Sequence, residues 1–181
     1  MRRRAFLAGV GAAGTAGLAG CGMVERMYGG GDGDDSDGSV TRVTVSTIDA
    51  RGSDSGEITV PVEGSPTLVD AFATWCSPCK PALDNLAAAR QQVGSDVVFV
   101  SSTNEPLTGD FGREDIAEWW ADHGGEWTVA HDGNNSELFR ELGRPSIPTA
   151  VLFDAAGQEA WRHTGIPETE TVIDEIQSVT G

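Results

Sequence analysis

The sequence is nearly without lysine and tyrosine: Lys80 is its one lysine, and a single tyrosine is present. Twelve basic residues stand against 28 acidic ones, a net charge of −16. No basic stripe is available to follow a phosphate backbone, which excludes nucleic acid as a partner. No stretch reaches the roughly 20 predominantly apolar residues that a spanning helix needs. Histidine is limited to His123, His131 and His163, and no two of them form a close pair. Cysteine is limited to Cys21, Cys76 and Cys79, too few for a disulfide-stapled scaffold.

What the chain does have is acid. The first twenty residues contribute three arginines and no acid, so the remainder carries −19. Acidity with so little lysine points to adaptation to molar salt, of the haloarchaeal type. At ~1 M salt the Debye length is ~3 Å, so a strongly anionic surface is screened and the chain stays compact.

Residues 1–20 read as an address. Three arginines precede a short run of Ala, Gly, Val and Leu that ends in small residues, the layout of a secretory signal. The pattern Arg3-Arg4-Ala5-Phe6-Leu7 resembles a twin-arginine signal. Leu18-Ala19-Gly20-Cys21 resembles a lipobox, which implies cleavage before Cys21 and a diacylglyceryl thioether on its sulfur. Two acyl chains suffice for stable attachment where one is marginal. Residues 21–39 then form a Gly-, Asp- and Ser-rich tether that has nothing to fill a core.

The folded domain is expected over 40–181. Val43, Val45 and Ile48 mark a first strand, Ile58 to Val62 a second, and Thr67 to Ala73 a buried central strand interrupted by Asp70. An amphipathic helix follows to about Val93, then a strand from Val97 to Ser101. A helix is expected over Arg113 to His123, a strand over Trp127 to Ala130 and a short helix over Ser136 to Leu142. Thr149 to Phe153 and Glu159 to His163 read as a hairpin, and Glu168 to Val179 as a closing helix. Strands alternating with helices predict an α/β fold whose sheet is covered on both faces. Trp119, Trp120 and Trp127 are expected to pack the inserted elements onto the domain, and His131 and His163 to be incidental surface residues.

With Cys21 assigned to the lipobox, Cys76-Ser77-Pro78-Cys79 remains. Such a pair is half a zinc site, a structural disulfide or a redox centre. Zinc needs two more ligands, and no His pair supplies them. A staple closing so short a loop gains little chain entropy. A redox centre has positive support. The pair lies between an apolar strand and a helix, so Cys76 falls near a helix N-terminus, where the dipole and free N–H groups stabilise thiolate. Cys76 would then attack, and Cys79, one turn deeper, would resolve the mixed disulfide. Pro78 would lie in the first helical turn.

Val69 to Lys80 resembles the active-site strand and helix start of thioredoxins. Ser146-Ile147-Pro148-Thr149 and the strand after it resemble that family's cis-proline loop. An insertion at about Glu105 to Asp132, with extra N-terminal strands, resembles the membrane-anchored extracytoplasmic reductases of the TlpA/ResA type. The resemblance implies a thioredoxin fold with no cofactor beyond the Cys76–Cys79 disulfide. Pro148 is expected cis, beside the cysteine pair, leaving the Ile147 backbone to pair with an extended substrate. Trp75 would offer that substrate a flat surface. Asp70, where thioredoxins keep a buried acid, would take the proton from Cys79.

Two positions depart from the TlpA/ResA pattern: Ala82 stands where many members carry Glu, and Asp84 where they carry the helix proline. This weakens a role in haem maturation. The resemblance implies exported protein thiols and disulfides as partners, with electrons from a membrane donor, on the extracytoplasmic face. A disulfide oxidase or isomerase using the same residues is the alternative direction. A metal- or haem-delivery chaperone is the alternative class.

Overall fold

The apolar runs that dominate the second half of the sequence become the middle of one sheet. The computed structural model describes residues 41–181. The proposed signal, lipidated Cys21 and tether lie outside them. Chain order is β1 (Val43–Thr47), β2 (Gly56–Val60), β3 (Thr67–Ala71), α1 (Cys79–Val93), β4 (Val98–Thr103), α2 (Arg113–Asp122), β5 (Thr128–His131), α3 (Glu137–Glu141), β6 (Thr149–Phe153), β7 (Glu159–Thr164) and α4 (Thr169–Thr180). The seven strands form a single mixed sheet in the order β2-β1-β5-β4-β3-β6-β7. This is the thioredoxin-like α/β fold that the sequence implies.

β3 and β6 are buried at every residue, as strands covered on both faces must be. β3 runs parallel to β4 and antiparallel to β6, so it forms the sheet's spine. Alternation along the strands makes two cores. On one face Leu68 and Phe72 meet Leu83 and Leu86 of α1, Ile116 and Trp120 of α2, and Val172 and Ile176 of α4. On the other, Val69, Val100 and Val151 meet Leu138 and Leu142 at α3. A five-residue helix is too short to stand alone. The carboxylate of Asp132 anchors α3 by accepting the N–H groups of Leu138 and Phe139, each at 2.8 Å.

The insertion consists of α2 and β5, and β5 enters the sheet between β1 and β4. Trp120 and Trp127 bind it down. Both are buried, and their rings meet edge-on at 5.0 Å. The Trp120 indole N–H donates to the Arg51 carbonyl at 3.1 Å, which ties α2 to the β1–β2 turn. Gly125 lies directly against the Trp120 ring, where any Cβ would collide with it.

Two expectations need correction. The second strand ends at Val60 rather than Val62, because Pro61 has no N–H to continue the ladder. His131 is not a surface residue: it is only 4% exposed, because the end of β5 is enclosed by β1 and β4. Its Nε2 donates to the Glu105 carbonyl at 2.8 Å and its Nδ1 accepts the Gly133 N–H at 3.1 Å. His163 is half-buried and stacks on Trp161 with ring centres 5.8 Å apart.

Candidate active site

The central strand delivers the cysteines. After β3 the Phe72 N–H still bonds the Ser102 carbonyl at 3.1 Å, so the chain leaves the sheet only beyond Phe72. Two tight turns follow, with Cys76 N–H on the Ala73 carbonyl and Cys79 N–H on the Cys76 carbonyl, both at 3.1 Å. Cys76 and Cys79 form a disulfide with a Cα–Cα distance of 5.3 Å. α1 begins at Cys79 and Pro78 is its N-cap, so Pro78 stands one position before the first turn in which it was expected. Cys76 thus lies just ahead of the helix, where the positive end of the dipole favours its thiolate once the bond is reduced.

Around the disulfide the surface is uneven. Both cysteines are nearly covered, at 3% and 2% exposure, whereas Trp75 is 73% exposed. Trp75 lines two open depressions, one with Glu105, Pro106 and Phe111, the other with Phe139 and Ile147. The Ile147–Pro148 peptide is cis. Thr149 pins that loop, its hydroxyl donating to the Ser146 carbonyl at 2.5 Å and meeting the Thr164 hydroxyl at 3.0 Å. Ile147 packs on the core cluster that contains Cys76 and Cys79. Among the described residues, neither the N–H nor the C=O of Ile147 has a hydrogen-bond partner. An open backbone position of this kind accepts an added strand.

Asp70 lies beneath this surface. It shares a sheet face with Leu68 and Phe72, the face packed against α1, and is 3% exposed. The Ser101 hydroxyl donates to its Oδ2 at 3.0 Å, and the Trp127 indole N–H donates to Ser101 Oγ at 3.0 Å. Burial pushes the Asp70 carboxyl up from 3.8 to about 7, and the Ser101 hydrogen bond moderates the rise. A carboxyl that titrates near neutrality exchanges protons readily with a thiol. Asp70 therefore lies on the sheet face whose apolar neighbours, Leu68 and Phe72, share a core cluster with Cys76 and Cys79.

Glu105 was not foreseen as part of the site. Its side chain is 6% exposed and accepts three hydrogen bonds: the Thr74 N–H at 2.8 Å, the Thr74 hydroxyl at 2.7 Å and the Thr103 hydroxyl at 3.0 Å. It fixes the residue that leads into Trp75-Cys76 from a position 31 residues along the chain. One signal was available: an acid two residues beyond a strand, at the carboxyl end of the parallel strands, where α/β sheets build their sites. Among the described residues, no group of three or more His, Cys, Asp or Glu side chains is placed to hold a metal ion.

A family model described as Redoxin matches residues 51–178, most of the chain and all of this site. The chain belongs to the Redoxin family. It is 26% identical over 103 residues to a thiol:disulfide interchange protein DsbE of Vibrio cholerae, and 25% identical over 116 residues to a DsbE of Tatumella citrea. These matches cover 57% and 64% of this chain. The chain spans little more than half the length of those relatives, 52% and 58%. StoA from Bacillus subtilis superposes with a TM-score of 0.62 at 18% identity, over 76% of this chain and 98% of StoA, a likeness of fold. A Redoxin-family chain with a disulfide across a Cys-x-x-Cys at a helix start carries the machinery of thiol–disulfide exchange.

Proposed function

We propose that this Redoxin-family protein is an extracytoplasmic thiol–disulfide oxidoreductase that acts as a protein-disulfide reductase, held at the membrane through Cys21. In the reduced protein the Cys76 thiolate attacks one sulfur of a substrate disulfide. A Cys76–substrate bond forms, the substrate disulfide breaks, and the departing thiolate takes up a proton. Cys79 then passes its proton to Asp70 and attacks Cys76 Sγ. The Cys76–Cys79 disulfide closes and the second substrate thiol leaves. The substrate has gained two electrons and the cysteine pair has lost them. A dithiol donor in the membrane would restore the pair. Trp75 and the Ile147–Pro148 loop would bind the substrate segment.

One observation carries the direction of transfer. Asp70 lies buried on the sheet face beneath the helix that starts at Cys79. A carboxylate there opposes thiolate formation, destabilises the reduced pair and so makes it a stronger reductant. The expected reduction potential lies below about −200 mV, and the reduced protein should cleave the interchain disulfides of insulin. A potential near about −120 mV would instead make it an oxidant. Inactivity toward any disulfide would leave the chaperone class.

The location rests on residues 1–21. Cys21→Ser should move the exported protein from the membrane fraction to the supernatant after a high-salt wash. Unchanged partitioning would remove the lipid anchor.

A further inference from the structure

Cations are scarce in this protein, and their placement is uneven. Residues 41–181 contain eight basic side chains against 23 acidic ones. Arg42, Arg51 and Arg162 are paired with Glu63, Glu126 and Glu159. Arg90 lies over the Trp127 ring, and Arg113 donates to the Thr47 carbonyl. Arg140 and Arg144 have no carboxylate partner among the described residues, and both line one groove of about 470 Å³. That groove is shared by Trp75 and Ile147, which flank the redox disulfide. Its floor includes Phe139, and no acidic residue lines it.

The backbone at Arg144 adds a second point. Its φ is +54°, a region where glycine or asparagine is the ordinary occupant and an arginine is uncommon. The Arg144 N–H bonds the Phe139 carbonyl at 2.7 Å, which holds the residue there. Two unpaired guanidinium groups therefore sit beside the open backbone of Ile147.

We propose that this groove selects extended peptide segments that carry acidic side chains next to the reacting cysteine, with Arg140 and Arg144 as the specificity-determining residues. The inference rests on the reading of the protein as a thiol–disulfide oxidoreductase and names its substrate class. A strand added at Ile147 places residues two apart on one side, about 7 Å from each other. The cysteine of such a strand can then face the disulfide while a neighbouring Asp or Glu meets an arginine. Arg140 and Arg144 supply forked donors that suit carboxylates. The net charge of −16 repels an acidic peptide at a distance, so a preference for one requires local cations. Two exposed ion pairs are worth about a fivefold preference at low salt, and screening diminishes it as salt rises.

The test uses the full chain in its reduced form and two symmetric peptide disulfides. One peptide has Asp two residues to either side of its cysteine, and the other has Asn there. Each rate is divided by the rate of the same peptide with free dithiothreitol, which removes intrinsic reactivity. The Asp peptide should react about fivefold faster at ~0.1 M salt, with the ratio falling toward one near ~1 M. In the Arg140→Gln/Arg144→Gln variant the low-salt ratio should fall to one or below. The single variant Arg140→Gln should give an intermediate ratio. Arg42→Gln removes the same charge at a distant ion pair and should retain the wild-type ratio. Equal rates for the two peptides in the wild type, or a ratio unaffected by the double substitution, would overturn the assignment while leaving the oxidoreductase intact. Failure to reduce either peptide would remove the oxidoreductase reading, and this one with it.

Discussion

Asp70→Asn should make the protein more stable and less active at pH 8. Both effects follow from one buried carboxyl. Asp70 in the folded chain holds its proton up to about pH 7, whereas in the unfolded chain it releases it near 3.8. Between those values the folded state binds more protons than the unfolded state. Stability is therefore full below about pH 4, falls as pH rises towards 7 and is level above it. A carboxyl raised from 3.8 to about 7 corresponds to about 4 kcal/mol. The uncharged amide removes that cost but retains only part of the Ser101 hydrogen bond. A net gain of about 2–3 kcal/mol remains at pH 8, a rise in Tm of roughly 5–10 °C. At pH 4, where the folded wild type holds its proton and carries no such cost, the variant should instead melt slightly lower, by the part of the Ser101 hydrogen bond that the amide lacks.

The same substitution removes the proton acceptor proposed for Cys79. Exchange should slow by about a hundredfold at neutral pH, the ordinary weight of a positioned base. The wild-type rate should rise with pH through an inflection near 7, and the variant should lose that inflection. Ser101→Ala should move the inflection upward instead, because the hydroxyl that favours the ionised carboxylate is gone. Melting curves at the two pH values and stopped-flow rates between pH 5 and 9 check both halves. An unchanged pH profile in Asp70→Asn would exclude Asp70 from proton transfer. Equal melting at pH 8 would show that the carboxyl carries no burial cost.

Asp70 also shows why this fold was so readable. A central strand covered on both faces reads as an unbroken apolar run, so one acid in Thr67–Ala71 stood out without any structure. The strands at 98–103 and 149–153 were legible for the same reason: nearly every residue is buried. The Cys76–Cys79 pair and the Ile147–Pro148 loop were legible as local motifs, each complete within four residues or so. Errors of boundary arose where a single backbone atom decided the outcome, as at Pro61, which ends β2 for want of an N–H.

Glu105 and His131 were illegible for a different reason. Their roles depend on partners distant in sequence: Glu105 holds Thr74, and His131 bonds the backbone of Glu105 across 26 residues. Neither contact leaves a periodic trace. The insertion between β4 and α3 reads as added length, and the sequence does not say that its strand enters the sheet. Once β5 lies between β1 and β4, the ring of His131 is enclosed and Glu105 sits at the carboxyl end of β4, beside the cysteine loop. Through His131 the insertion thereby holds the backbone of Glu105, whose carboxylate holds Thr74.

Replacing either cysteine should stop turnover, but the two variants should stop at different points. Cys76→Ser removes the attacking sulfur, and exchange should fall by about a thousandfold or more, since a serine hydroxyl at neutral pH is no substitute for a thiolate. Cys79→Ser leaves the attack intact and removes the resolving group. That variant should accumulate one peptide per chain as a mixed disulfide on Cys76, visible by mass spectrometry and released by dithiothreitol. The assignment rests on position. Cys79 is the first residue of α1 and packs with Leu83 and Leu86 in the core beneath the helix. Cys76 lies in the loop ahead of α1, next to the exposed Trp75 and before the positive end of the helix dipole. A substrate strand seated at Ile147 meets that loop before it meets the helix. Peptide mapping of the trapped adduct decides the order. An adduct on Cys79 in Cys76→Ser, with none on Cys76 in Cys79→Ser, would reverse the two roles.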